Sequence, residues 1–275
     1  MYNDTMSAMP EFTVLVNSSD GFEDCWKPFF TLFSKYWPEA NEPILLNTEK
    51  KAYQHPGLPL QCTQVQNNSN RRLTWSECLL AALDQVKTPL VLYFQEDYFI
   101  HQPVLDAKVR DAARFMLSQP EVKHVALTGF GSAGPYSQHP EAWLQIIGAH
   151  ARYRVSTQAA LWRVETLRSY LVPEENGWMF EIYGTWRAHR RREQFLVVRH
   201  GAADGGVPIG YLHTGIIKGK WLPAIQQVFD DNAIKVDFGR RGFYAPKSLI
   251  HRKIETARRL LEQPIYLFKN LVGLR

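Results

Sequence analysis

Two spacings of apolar residues divide the chain. Short apolar runs at residues 11–17 (EFTVLVN), 43–47 (PILLN), 89–94 (PLVLYF), 123–128, 154–162, 195–199 and 207–213 read as strands. Between them, apolar positions recur at helical spacing. Phe22, Cys25, Trp26, Phe29, Phe30, Phe33, Tyr36 and Trp37 make one broad stripe. Pro28 suits a helix beginning near Asp24, because the first N–H groups of a helix lack internal partners. Thr74-Trp75-Ser76-Glu77 is a capping box, opening a helix on Trp75, Cys78, Leu79, Ala82, Leu83 and Val86. Pro103 predicts a helix start, with the helix running to Ser118. Residues 164–171 read as a short helix. Glu174-Glu175-Asn176-Gly177 then turns into a helix with Trp178, Glu181, Ile182, Thr185, Trp186 and His189 on one face. Residues 50–72 and 129–140 read as loops. Strands alternating with helices predict an α/β fold, a Rossmann-like nucleotide-binding sheet with helices on both faces.

The 89–94 strand runs into Gln95, Glu96 and Asp97. Strand alternation puts Tyr93, Gln95 and Asp97 on one face and Glu96 on the other. Carboxylates at the end of a buried strand are costly unless something binds them. Ligands of open α/β sheets sit at the carboxyl ends of the strands. A divalent cation with a sugar nucleotide suits this place. So does a bland role, in which the acids cap the next helix or pair with an arginine.

Composition narrows the class. A chain of 275 residues holds one large domain or two small ones, and 45% hydrophobic with 21% charged residues excludes a disordered protein. Aromatics at 13% fit a binder of flat rings or an ordinary core. Cys25, Cys62 and Cys78 show no metal-type spacing, which argues for a reducing compartment without a disulfide framework. Residues 1–12 lack a basic segment followed by an apolar one, so no signal peptide is expected. No apolar run approaches the length of a membrane span. The expectation is a cytoplasmic protein. Net charge is +5, and residues 247–275 carry all of it, with seven Lys/Arg against Glu255 and Glu262. A neutral body argues against a nucleic-acid binder. Residues 1–246 read as the domain, and 247–275 as a basic amphipathic C-terminal helical tail. Its apolar face is Leu249, Ile250, Ile254, Ala257, Leu260 and Leu261. Such a tail either lies on the anionic inner face of the cytoplasmic membrane or packs on the domain.

Three blocks carry a resemblance: LTWSECLLAALDQVKTPLVLYFQEDYF, STQAALWRVETLRSYL and ENGWMFE. In this order they resemble the GT-A-fold glycosyltransferases of bacterial surface-polysaccharide synthesis, over roughly residues 11–221. The resemblance implies a GT-A-like fold and transfer of a sugar from a nucleotide-sugar donor to a glycan or lipid-linked acceptor, of lipopolysaccharide or capsule. The family's Asp-x-Asp motif is matched by Gln95-Glu96-Asp97. Asp97 falls at the position that binds Mn²⁺ or Mg²⁺. Gln95 replaces an acid and can only hydrogen-bond a ribose hydroxyl, which leaves metal dependence open.

By the same resemblance, Ser18, Asp20 and Glu49, after the first two strands, hold the base and ribose. Asp20 alternatively makes a turn. Arg71 and Arg72 reach the phosphates or stay solvated. The segment from His213 to Trp221 loosely resembles the His…Gly…Lys…Trp segment of some retaining members, with the Gly and first Lys each one residue closer to the His. It implies His213 as a metal ligand and Lys218 or Lys220 as a diphosphate contact; a surface or core histidine and solvated lysines are the alternatives.

Inverting transfer needs a carboxylate base. Glu181 follows the apolar Trp178-Met179-Phe180, whose desolvation would raise its pKa. Glu174 and Glu175 are its rivals, and an ion pair with Arg187 is its bland alternative. Trp178 stacks on the acceptor sugar or belongs to the core. Two other classes stay open. A nucleotidyltransferase would need a basic, Gly-rich loop where Ser18-Ser19-Asp20-Gly21 stands. A non-catalytic sugar- or nucleotide-binding protein with a degenerate GT-A site is kept open by Gln95.

Overall fold

The computed structural model describes residues 10–201 and 205–246, together with Phe268. The tail expected over residues 247–275 therefore lies outside the described residues, save for Phe268.

Among the described residues a nine-stranded sheet crosses the molecule. Its strands are β1 (Phe12–Asn17), β2 (Ile44–Asn47), β3 (Leu60–Cys62), β4 (Leu90–Gln95), β5 (Val122–Ala126), β6 (Tyr136–Gln138), β7 (Leu144–Ile147), β8 (Ala160–Arg163) and β9 (Gln194–Val198). Their order is β3-β2-β1-β4-β8-β5-β9-β7-β6. The pairs among β3, β2, β1 and β4 are parallel, as is β5 with β9, whereas β8 and β7 run antiparallel to their neighbours. This is the α/β architecture, a nucleotide-binding-type mixed sheet with helices on both faces, that the sequence pattern predicts. A small antiparallel pair, β10 (Ile216–Ile217) and β11 (Lys220–Trp221), lies apart from the sheet.

The helices are α1 (Glu23–Tyr36), α2 (Trp75–Leu83), α3 (Asp106–Ser118), α4 (Val164–Tyr170), α5 (Gly177–Ala188) and α6 (Ile225–Asp231). A two-faced core explains why β1 and β4 are apolar throughout. Phe12, Val14 and Val16 pack with Leu90, Leu92 and Phe94 on the face that holds the aromatic stripe of α1 and the small residues of α3. Leu15, Val91 and Tyr93 pack on the other face with α2, α4 and α5. Burying each such side chain contributes roughly 1.5–3 kcal/mol, so β1 and β4 are anchored on both faces. Their register aligns Asn17 with Asn47 on one side and with Gln95 on the other. The polar ends of three neighbouring strands thus meet at one edge.

The capping box forms as expected: Thr74 accepts from the Glu77 amide, and the Glu77 carboxylate accepts from the Thr74 amide. Other expectations need correction. The run at 207–213 forms only a single bridge, Ile100 to Tyr211, because Pro208 and Gly210 interrupt it. Residues 154–162 contribute only the short β8, since Arg154, Val155 and Thr157 spend their polar groups on α5 and Gln158 spends its amide on Tyr98. The loops at 50–72 and 129–140 hide β3 and β6. Pro103 precedes α3 rather than opening it. Pro28 lies six residues into α1, beyond the four orphan donors, so one backbone bond of that helix is missing.

Candidate functional site

Strand β4 ends at Gln95, and Glu96 and Asp97 lie in the turn that follows. Alternation therefore stops before the acids, and the expectation that they point to opposite faces fails. Both line a cavity of about 580 Å³ at the carboxyl ends of β1 and β4. One wall comes from β1 and β4, through Asn17, Ser18, Gln95, Glu96 and Asp97. A second comes from α2 and α5, through Trp75, Asn176 and Trp178. A third is the 214–219 segment, with Thr214, Ile216, Lys218 and Gly219.

A ladder of buried polar side chains joins the strand ends and reaches the cavity at Asn17. Thr63 Oγ1 donates to Asn47 Oδ1 at 2.9 Å, Asn47 Nδ2 to Asn17 Oδ1 at 2.8 Å, and Asn17 Nδ2 to the Tyr93 hydroxyl at 3.1 Å. Each joins neighbouring strands at their ends, so the ladder fixes the lip from which Ser18 and Gln95 project.

Asp97 is buried and its two oxygens differ. Oδ2 accepts from the Thr214 hydroxyl and, at 2.9 Å, from the Ile216 amide. Oδ1 is buried without a hydrogen-bond partner among the described residues. The Gly215 amide also donates to the Asp97 carbonyl at 2.9 Å. The 214–216 segment is thereby strapped to the acidic turn. Gly215 makes this possible, because a Cβ there would sit 2.3 Å from Phe99 Cε2 and 2.9 Å from that carbonyl. Burial pushes the Asp97 carboxyl up, against the hydrogen bonds from Thr214 and Ile216. Burial, with the charge of Asp97 next, pushes Glu96 well above the usual carboxylate range. Two adjacent desolvated acids do not both ionise readily unless a cation arrives.

Glu181 is held by the 156–158 segment. Its Oε1 accepts from the Thr157 amide and the Thr157 hydroxyl, each at 2.8 Å, with Ser156 Oγ at 3.5 Å. Behind Thr157, Gln158 Nε2 donates to the Tyr98 hydroxyl at 3.0 Å, and the Tyr211 hydroxyl donates to Gln158 Oε1 at 3.0 Å. Burial raises the Glu181 carboxyl, opposed by the Thr157 bonds and by the nearby His213. The Arg187 ion pair, its bland alternative, goes to another residue. Arg187 makes a two-pronged bridge to Glu175, at 2.6 and 2.7 Å, and Glu175 has no exposed surface. An acceptor hydroxyl cannot reach Glu175, so its place as a rival base is corrected to a structural one. The buried face of α5 is Met179, Phe180, Tyr183, Gly184, Thr185 and Ala188, so Trp178 and Glu181 flank the core instead of sharing one stripe with Thr185.

Of the other expected residues, Asp20, Glu49, Arg72, His213 and Lys220 lie outside the lining of the cavity, and Ser18 and Lys218 lie in it. Asp20 accepts from the amides of Glu49, Lys50 and Lys51, and Glu49 accepts from the Asp20 amide. This reciprocal clasp between two loops is the turn-making reading of Asp20. Arg72 stands 3.7 Å from Glu49 with its side chain largely in solvent, and Arg71 pairs with Glu77. Ser18 accepts from the Trp26 indole at 2.8 Å. His213 is exposed and meets the Phe130 ring edge-on at 5.3 Å. Lys218 lines the cavity at the tip of the β10–β11 turn, whereas Lys220 is exposed on β11 outside the lining. Among the described residues no group of three His, Cys, Asp or Glu side chains is placed to hold a metal ion.

Sequence reasoning missed Asn17, Trp75, Asn176 and Thr214 as cavity residues and Thr157 as the holder of Glu181. Trp75 carried a signal, since it heads its helix beside a capping box. Thr157 and Thr214 carried none, because their partners are 24 and 117 residues away.

No protein-family model matches the sequence, nor does any curated protein. Solved structures resemble the fold distantly. TarS of S. aureus, residues 1–349, aligns at 17% identity and a TM-score of 0.46, over 68% of this chain and 57% of that chain. The same protein in complex with UDP-GlcNAc aligns at 13% identity and a TM-score of 0.42, over 84% and 69%. CMP:2-keto-3-deoxy-manno-octonic acid synthetase complexed with CTP aligns at 12% identity and a TM-score of 0.40, over 81% and 98%. At these identities, and with TM-scores below 0.5, nothing of the activity of those proteins carries over to this chain.

Proposed function

We propose that this chain is a glycosyltransferase that moves a sugar from a nucleotide-sugar donor to a surface-glycan acceptor with inversion at the anomeric carbon. The observation that carries the reading is the cavity at the ends of β1 and β4. It combines the acidic turn, two indoles and Lys218, and Trp178 of its wall precedes the held Glu181 by three residues on α5. In this reading Asn17, Ser18 and Gln95 hold ribose hydroxyls, and Trp75 and Trp178 offer flat faces to the base or the sugars. Lys218 faces the diphosphate. The Glu181 carboxylate takes the proton of the acceptor hydroxyl as that oxygen bonds to the anomeric carbon. The bond to the diphosphate breaks and the diphosphate leaves with its electron pair.

A divalent cation, Mn²⁺ or Mg²⁺, fits the acidic turn. Oxygen donors suit such ions, the buried Asp97 Oδ1 has no partner among the described residues, and Glu96 lies beside it. Asp97 and Glu96 would hold the ion, which would supply positive charge against the leaving diphosphate. His213, an expected ligand, is exposed against Phe130 and serves the reading better as a neighbour of Glu181. The basic residues of 247–275 carry the membrane part of the proposal, an attraction of about 1 kcal/mol per Lys/Arg near an anionic surface. Among the described residues no helix is long and apolar enough to cross a membrane.

The test is a thermal-shift series with nucleoside diphosphates and nucleotide sugars, with and without Mn²⁺, on the wild type and on Asp97→Asn. A ligand that binds only the native state raises the melting temperature, by an increment worth about 2.7 kcal/mol at a hundredfold excess over Kd. The expected result is a nucleotide-dependent shift enlarged by Mn²⁺ in the wild type alone. No shift with any nucleotide would refute the reading.

A further inference from the structure

The two oxygens of Glu181 differ, as those of Asp97 do. Oε1 takes the bonds from Thr157 and Ser156. Oε2 has no hydrogen-bond partner among the described residues and is not one of their buried unpartnered atoms, so it is open to solvent. The groups behind Oε1 form a chain whose direction is fixed. The Thr157 hydroxyl spends its proton on Glu181 at 2.8 Å, so Tyr98, 3.4 Å from Thr157 Oγ1, is the donor of that pair. The Tyr98 oxygen in turn accepts from Gln158 Nε2 at 3.0 Å. Gln158 Oε1 accepts from the Tyr211 hydroxyl at 3.0 Å, and the Tyr211 oxygen accepts from the Ala159 amide at 3.0 Å. Turning the Gln158 amide over would leave the Tyr211 proton without an acceptor among these groups. The protons of the chain therefore all run toward Glu181, an order in which each bond strengthens the next by about 10–30%.

Tyr98, Thr157, Gln158 and Tyr211 are all buried. The two tyrosine rings stack 4.8 Å apart and 13° from parallel. Phenylalanine would serve that packing equally well, and a buried hydroxyl costs free energy unless it is hydrogen-bonded. Each hydroxyl here both donates and accepts. The chain is also built on the segments that shape the acidic turn. Tyr98 follows Asp97 directly, and Tyr211 stands three residues before Thr214, which donates to Asp97 Oδ2. The same turn and the same strap thus hold one oxygen of each carboxylate.

We propose that Tyr98, Gln158 and Tyr211 are positioning residues for Glu181, holding Oε1 through Thr157 so that Oε2 is the oxygen that takes the acceptor's proton. The role of Oε2 rests on the reading of Glu181 as the base; the holding of Oε1 is measurable without it. In the step, the acceptor O–H bond breaks and an Oε2–H bond forms. The acceptor oxygen bonds to the anomeric carbon, and the diphosphate leaves with its electron pair. Hydrogen bonds to the charged form favour it, so a broken chain moves the Glu181 titration to higher pH. The ionisable groups that face Glu181 are His213 from the 211–214 segment, Tyr98 from the acidic turn and Tyr93 from β4. Burial raises both tyrosines, so neither ionises where a carboxyl titrates. An imidazole can, so the measurement is made in a His213→Gln background.

The experiment is a pH titration by NMR of the full chain, isotopically labelled at the glutamate side-chain carboxyl, with no ligand added. Glu181→Gln assigns the signal, and Asp97 gives none in such protein. The variants are Thr157→Val, Thr157→Ser, Tyr98→Phe and Tyr211→Phe. The Glu181 carboxyl should move to higher pH most in Thr157→Val, less in Tyr98→Phe and least in Tyr211→Phe. Thr157→Ser keeps the hydroxyl and should titrate like the parent. A carboxyl that stays or moves to lower pH in both phenylalanine variants would overturn the proposal, as would equal displacement in Thr157→Ser and Thr157→Val. A purely structural role for the tyrosines would lower the melting temperature of those variants and leave the titration where it was. Sugar transfer by Glu181→Gln separates the two readings. Undiminished transfer would refute the base and with it the role of Oε2, whereas an unmoved titration refutes the chain alone.

Discussion

Replacing Glu175 by Gln separates a structural acid from a catalytic one. Glu175 has no exposed surface, and its partner Arg187 has a side chain 13% exposed. Arg187 also donates to the Tyr170 carbonyl at 2.7 Å. Removing one charge of a buried pair leaves the other uncompensated, at a cost of about 3–5 kcal/mol. For a chain of this size each kcal/mol lowers the melting temperature by roughly 2–4 °C, so Glu175→Gln should melt about 6–20 °C lower. The loop that carries Glu175 is tied to the start of α2, where the Ser76 amide donates to the Glu175 carbonyl and Thr74 donates to the Pro173 carbonyl. That loop sets the wall holding Trp75 and Asn176. Differential scanning fluorimetry measures the loss, with sugar transfer followed well below the transition. The Arg187→Met/Glu175→Gln double variant should recover much of the lost stability, since it removes both charges. An unchanged melting temperature in Glu175→Gln, together with turnover reduced a hundredfold, would refute the reasoning and make Glu175 the base.

Glu181→Gln should lower turnover by roughly 10²–10⁴-fold, the usual worth of a general base, and leave nucleotide affinity unchanged in a thermal-shift titration; equal transfer rates would remove Glu181 from catalysis. Thr157→Val removes a hydrogen bond that favours the charged Glu181, so the acid limb of the pH–rate profile should move to higher pH, and a limb that stays or moves to lower pH would contradict the placement. The stability sign is opposite: burial raises the Glu181 carboxyl, so its contribution is complete below the unfolded value near 4.5 and is lost as pH rises through the folded value. Gly215→Ala would drive a methyl into Phe99 and the Asp97 carbonyl, and overpacking costs about 1–3 kcal/mol; the measured outcome should be weaker Mn²⁺-dependent nucleotide stabilisation along with the lower melting temperature, and an unaltered response to Mn²⁺ would separate the strap from the site.

What could be read from the sequence follows from how local each feature is. The core strands β1 and β4 were legible because both faces are buried, and burial on two faces demands an unbroken apolar run. α2 was legible because Thr74 and Glu77 cap it within four residues. β3 and β6 were hidden because each is three residues long and lies toward an edge, where exposed positions are tolerated. The 207–213 run misled for the opposite reason. Ile209 and Tyr211 are buried, but in an irregular segment that meets Tyr98 to His101, Leu127 and Ala159, so apolar alternation there reports contact with the core and not membership of the sheet.

The same distinction separates the site residues. Glu96 and Asp97 announce themselves by chemistry, as acids at the end of a buried strand after Gln95, and the cavity lies there. Their orientation was misjudged because strand alternation was extended past the last paired residue. Once β4 ends, nothing keeps Glu96 and Asp97 on opposite faces, and the turn brings both to one opening. Asp20 and Glu49 announce themselves equally well, yet each spends its oxygens on the other's loop. Position at a strand end therefore does not by itself place an acid in a site. The deciding fact is whether backbone amides already satisfy the carboxylate. Three amides satisfy Asp20, whereas Asp97 keeps one buried oxygen unpartnered among the described residues. That oxygen, more than the motif, makes the acidic turn the place where an incoming cation would gain most.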